Sequence, residues 1–90
     1  MLRWSIEVFE NGKSAKLLDM PGTIEKAQVM DLMRLIVAKS LTYSEIAGCI
    51  WSEHYGRLEF LDIQHYDEGR TLACGAGLLV VYARQMVRLT

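Results

Sequence analysis

Glu10-Asn11-Gly12-Lys13 constrains what this chain can fold into more than any other stretch. Asn-Gly between alternating apolar runs is the strongest short-range hairpin signal, because a type I′ turn needs φ > 0 at both central positions and these residues tolerate it. The chain therefore opens with a β-hairpin. Pairing outward from the turn sets Val8 opposite Ala15, Ile6 opposite Leu17 and, on the other face, Glu7 opposite Lys16, so packing and charge agree on one register. Nothing in this hairpin is chemistry, so function must be sought further along.

Met20-Pro21-Gly22 breaks the second strand, and Thr23 stands as an N-cap with Glu25 in the first turn, which predicts a helix from Ile24 to Ser40. At 100° per residue, Ala27, Val29, Met30, Met33, Ile36 and Val37 share an apolar face, with Glu25, Gln28, Asp31 and Lys39 opposite. Leu32 and Leu35 fall among the polar residues. They give the helix a second apolar side, to be met by the next helix or by another protein chain. Thr42 with Glu45 reads as a capping box that starts a second helix, with Tyr43, Ile46, Ala47 and Ile50 on one stripe and a stop near Gly56.

From Arg57 to Tyr66 the pattern returns to period two, and Asp67-Glu68-Gly69 suits a type I turn with a glycine G1 bulge. A second hairpin follows, returning from Arg70 to about Gly77. Leu78 to Leu89 fits two readings. A helix gathers Arg84, Gln85 and Arg88 on one side, whereas a strand aligns Leu79, Val81, Ala83, Val87 and Leu89. Gly75-Ala76-Gly77 looks like a break and tips the reading toward helix, against the extended preference of Val80-Val81-Tyr82. The expected fold is a single α+β domain over residues 1–90: a two-layer structure with an antiparallel sheet of four strands, five if the last segment is extended. Two hairpins supply the sheet, two or three helices pack on it, and the order is β-β-α-α-β-β-(α).

Size and composition set the class of protein. Ninety residues with a hydrophobic fraction of 51% suit one packed core. No apolar run reaches the roughly 18 residues of a membrane span, and Met1-Leu2-Arg3-Trp4 leads into strand-like alternation rather than a secretory signal, so a cytoplasmic setting without membrane contact is expected. Cys49 and Cys74 lack CxxC spacing and read as reduced, buried small residues. A net charge of −1 removes the electrostatic drive of nucleic-acid binding. Charge is uneven, however. Between Thr42 and Gly69, Glu45, Glu53, Glu59, Asp62, Asp67 and Glu68 face only Arg57. Such a segment is an ordinary solvated surface, or one that meets a basic partner.

Candidate chemistry is thin. Cys49 and His54 are five apart, not the three or four that share a helical face, so a zinc site built on them with His65 and Asp67 is disfavoured. Neither cysteine stands in a nucleophile elbow, and Gly75-Ala76-Gly77 completes no phosphate-binding motif, so close backbone packing is the better reading. No catalytic residue, metal or cofactor is expected, and the chain reads as a non-enzyme.

Leu41-Thr42-Tyr43-Ser44-Glu45-Ile46-Ala47 resembles the first turn of the positioning helix in helix-turn-helix proteins. The resemblance implies a winged-helix DNA-binding regulator, with residues 24–40 and 43–51 as its first two helices and 57–77 as the wing. A basic recognition helix should come next, but Ser52-Glu53-His54-Tyr55-Gly56 is short, acidic and ended by glycine, so nucleic acid is a disfavoured partner. Trp51, Tyr55 and Tyr66 are large amphipathic side chains in the acidic middle, typical of contact hot spots, although Trp51 and Tyr55 could equally complete the core. The leading expectation is a small cytoplasmic protein acting by protein-protein contact, as a homodimer or other homo-oligomer, or as a regulator or inhibitor of a larger partner. Leu32, Leu35, Trp51, Glu53, Tyr55, Glu59, Asp62, Tyr66 and Asp67 are its candidate partner-binding residues.

Overall fold

The computed structural model describes residues 2–50 and 58–87. Strands β1 (Leu2–Glu10) and β2 (Lys13–Asp19) form the first hairpin, and helices α1 (Lys26–Ala38) and α2 (Tyr43–Ile50) follow. Strand β3 (Gln64–Tyr66), a short turn, and strands β4 (Thr71–Ala76) and β5 (Leu79–Val87) complete the chain. All pairings are antiparallel in one five-stranded sheet of order β2-β1-β5-β4-β3. The α+β class and the order of the first six elements match expectation. The last segment is a strand, not the favoured helix.

Its position explains that outcome. β5 lies between β1 and β4, paired over its whole length with β1. Val81 and Ala83 are fully buried on the face that packs under α1, beside Ile6 and Leu72. Val80 and Tyr82 point the other way. The apparent break at Gly75-Ala76-Gly77 is a tight hairpin turn, with Gly77 at φ 66° between paired Ala76 and Leu79, where glycine is favoured in the first central position. Gly75 sits at φ 112° with its α-carbon against the backbone of Leu79 and Val80, the close approach anticipated there.

The first hairpin turns at Asn11 and Gly12 with φ of 53° and 78°, as type I′ requires. Its register departs from expectation. Glu10 pairs Lys13 and Phe9 pairs Ser14, but Val8 then pairs Lys16, Glu7 pairs Leu17 and Ile6 pairs Leu18, leaving Ala15 as a bulge. Leu17 and Leu18 are adjacent leucines, so moving by one residue still brings a leucine to Ile6, and the hydrophobic pattern does not penalise the slip. Ser14 Oγ donates to Glu7 at 2.7 Å in place of the expected Lys16 pair.

α1 starts later than expected. Pro21 to Ile24 closes a turn, with the Ile24 amide donating to the Pro21 carbonyl at 3.1 Å, which uses up Thr23. Glu25 becomes the N-cap, its amide donating to Gln28 Oε1 at 2.9 Å. Val29, Met33 and Val37 are buried, and Leu32 is half-buried against the same core, three residues after Val29 and four before Ile36. Thr42 and Glu45 form the expected capping box at 2.9 and 3.2 Å. The expected stop of α2 at Gly56 lies outside the described residues.

The second hairpin is shorter than expected. Leu58, Phe60, Leu61 and Ile63 are all at least half-buried, on both parities, so they wrap the core as irregular chain rather than presenting one strand face. Arg34 Nε donates to the Leu61 carbonyl at 3.2 Å, and Cys74 Sγ to the Phe60 carbonyl at 3.4 Å, holding this segment beside α1 and β4. The Asp67–Arg70 turn is not type I. Glu68 and Gly69 both have positive φ, 56° and 86°, and the Arg70 amide donates to the Asp67 carbonyl at 3.1 Å, the arrangement of a type I′ turn.

Candidate functional site

One sheet face packs under α1, and the other has no helix over it among the described residues. Paired residues share a face, so the register fixes what that second face carries. Leu17 and Asp19 stand on β2, Arg3, Ser5, Glu7 and Phe9 on β1, Val80, Tyr82, Arg84 and Met86 on β5, Thr71 and Ala73 on β4, and Gln64 and Tyr66 on β3. The rings of Phe9 and Tyr82 meet edge-on at 5.6 Å near its middle. Leu17 (61%), Met86 (56%) and Tyr66 (49%) leave much of their surface to solvent. Tyr66 Oη donates to Gln64 Oε1 at 2.7 Å, which orders the β3 edge of this face.

The helical layer also carries apolar surface. Leu35 is exposed on α1, while Tyr43 and Ile50, seven residues apart on α2, are exposed on a common side. α2 turns Cys49 inward instead of that stripe. The expected partner-binding residues are therefore dispersed. Leu32 packs on the core and Leu35 faces outward from α1, Glu59 is exposed, Asp62 is half-buried, and Tyr66 and Asp67 lie at the β3 end of the sheet. Trp51, Glu53 and Tyr55 lie outside the described residues. Phe9, Leu17, Tyr82 and Met86 were missed by sequence reasoning. For Tyr82 and Met86 the available signal is the run of apolar residues on both parities of β5, which a strand covered on one side does not need; Phe9 and Leu17 carry no such signal.

Among the described residues, the groups able to do chemistry stand apart from one another. Burial raises the Cys74 thiol from 9.0 to about 11, with Asp62 and Cys49 adding to the rise and Arg34 opposing it. Such a thiol is a poor nucleophile. Cys49 is buried on α2, His65 is exposed on β3 and Asp67 is exposed in the following turn; among the described residues no three His, Cys, Asp or Glu side chains are grouped as a metal site needs. No described helix is long and apolar enough to cross a membrane. An open cleft lies where the α1–α2 connection meets the ends of β1 and β5, floored by Val37, Leu41 and Leu79 and rimmed by Glu10, Lys39 and Glu45. Comparison with known protein families, with curated proteins and with solved structures finds none that matches this chain.

Proposed function

We propose that this chain is a non-enzymatic, cytoplasmic protein that works by binding protein, as a homo-oligomer or as a regulator or inhibitor of a larger partner. The observation that supports this reading is the placement of Phe9, Val80 and Tyr82 on the sheet face that no described helix covers, flanked by exposed Leu17, Tyr66 and Met86. Isolated exposed apolar side chains are ordinary on a monomer, but a contiguous group with aromatic members and a charged rim is the composition of a contact surface. Leu35, Tyr43 and Ile50 offer a second surface for a foreign partner, and exposed Glu59, Asp67 and Glu68 suit one with basic side chains. Cys49 and Cys74, both buried, fit a reducing compartment.

Chemical cross-linking of the full chain in its host, followed by mass spectrometry, tests the reading. Cross-links to a second copy or to a defined protein, lost when Leu17→Lys and Leu35→Lys are combined, are the expected result. A chain that forms no cross-linked species contradicts it. Retention on duplex DNA with log affinity falling linearly against log salt would favour the winged-helix alternative instead.

A further inference from the structure

We infer that the sheet face that no described helix covers is closed by a second copy of this chain, in a two-fold dimer held by apolar side chains and a reciprocal Glu7–Arg84 pair. This deepens the protein-contact reading and rests on it. One observation points to a second copy rather than a foreign protein, and two more are compatible with it.

Charge on the face is self-complementary. Glu7 on β1 and Arg84 on β5 occupy neighbouring inner strands; Glu7 pairs Tyr82 and Ser5 pairs Arg84, so these two charges are diagonal neighbours on the open side, and Arg3 on β1 and Asp19 on β2 add one charge of each sign to it. A two-fold axis lying between two stacked faces, normal to the line from Glu7 to Arg84, sets Glu7 of each copy against Arg84 of the other. Strands then cross near a right angle, one of the two ways that sheets stack. The edge-on Phe9–Tyr82 pair stands beside Glu7 on the same side and supplies apolar surface to that contact. An isologous contact needs such a surface, since each patch must complement itself.

Area is of the right order. The five strands run from three to nine residues, about 7 on average, and at about 4.8 Å spacing and 3.3 Å rise they give a flat footprint of about 550 Å². Side-chain corrugation raises the accessible surface above that projection, toward the about 800 Å² per partner of a stable interface.

The sheet edges are poor competitors. β2 carries Lys13, Lys16 and the Ala15 bulge, while β3 is three residues long, and both features discourage edge-to-edge pairing. Face stacking is the remaining way for the sheet to associate with its like.

The test is sedimentation equilibrium of the full chain and of four variants, with circular dichroism to verify folding. Wild type should dimerise. Glu7→Lys and Arg84→Glu should each weaken dimerisation by about tenfold or more, and the double reversal should restore it to within about threefold, because the pair is re-formed with opposite sign. Leu35→Lys on the helical layer should leave the dimer unchanged. A wild type that stays monomeric to about 0.5 mM overturns the inference, and the contact reading then stands or falls on cross-links to a foreign protein. A dimer that Leu35→Lys dissociates and the charge reversals do not also overturns it, while leaving the contact reading in place.

Discussion

Cys74 holds its thiol proton more tightly than a solvated cysteine, because its ionised form would be stranded beneath α1 with the Phe60 carbonyl as acceptor. The folded value near 11 lies above the ordinary 9.0, so the stability that comes from keeping this thiol neutral is fully present below pH 9 and is lost as the pH rises through 11. Chemical denaturation at pH 7.5 and pH 11 should differ by on the order of 2 kcal/mol from this group, and Cys74→Ser should shrink the difference. Native Cys74 should also resist thiol reagents that label it once the chain is unfolded. Two positive-φ residues, Glu68 in a turn and Gly75 in β4, respond to substitution in opposite directions. Glu68 sits at φ 56°, where a side chain costs about 1 kcal/mol, and Glu68→Asn should raise stability by about 0.5 kcal/mol. Gly75→Ala, at φ 112° with a β-carbon driven into the Leu79 carbonyl, should lower it by at least about 2 kcal/mol in the same measurement.

At the scale of elements, local chemistry was legible wherever a side chain closes on its own neighbourhood. The Asn11-Gly12 turn and the Thr42–Glu45 capping box stand where the sequence places them, and Thr42→Ala should cost about 1 kcal/mol in thermal or denaturant unfolding, with loss of α2 helicity. Long-range choices were less legible. The Ala15 bulge is hidden by adjacent Leu17 and Leu18, which set a leucine opposite Ile6 in either register. Residues 79–87 fit a helical or an extended pattern, and the decision belongs to β1 and β4, whose facing edges are both satisfied only if β5 fills the gap between them. Leu58 to Ile63 shows the converse: a period-two pattern suggested a strand, but Phe60 and Leu61 are consecutive apolar residues that both reach the core. Within α1, Met33 is fully buried at the centre of the covering helix, and Met33→Ala should destabilise the fold by about 2–4 kcal/mol.

The whole molecule is less compact than its length requires, with a radius of gyration of 13.9 Å against about 12 Å for a globule of 90 residues. The candidate site was only partly legible, because the sequence directs attention to its acidic, aromatic middle, whereas Leu17, Phe9, Tyr82 and Met86 come from strands far apart in the chain and become neighbours through the β1–β5 pairing. Glu7 likewise reads as a scaffold charge until Arg84 is set diagonally beside it. Hydroxyl-radical footprinting of the full chain at low and high protein concentration tests the central claim most directly. The account predicts that Phe9, Leu17, Tyr82 and Met86 become protected as concentration rises while Leu35 and Tyr43 stay reactive; protection confined to Leu35 and Tyr43, or none at any concentration, would contradict it.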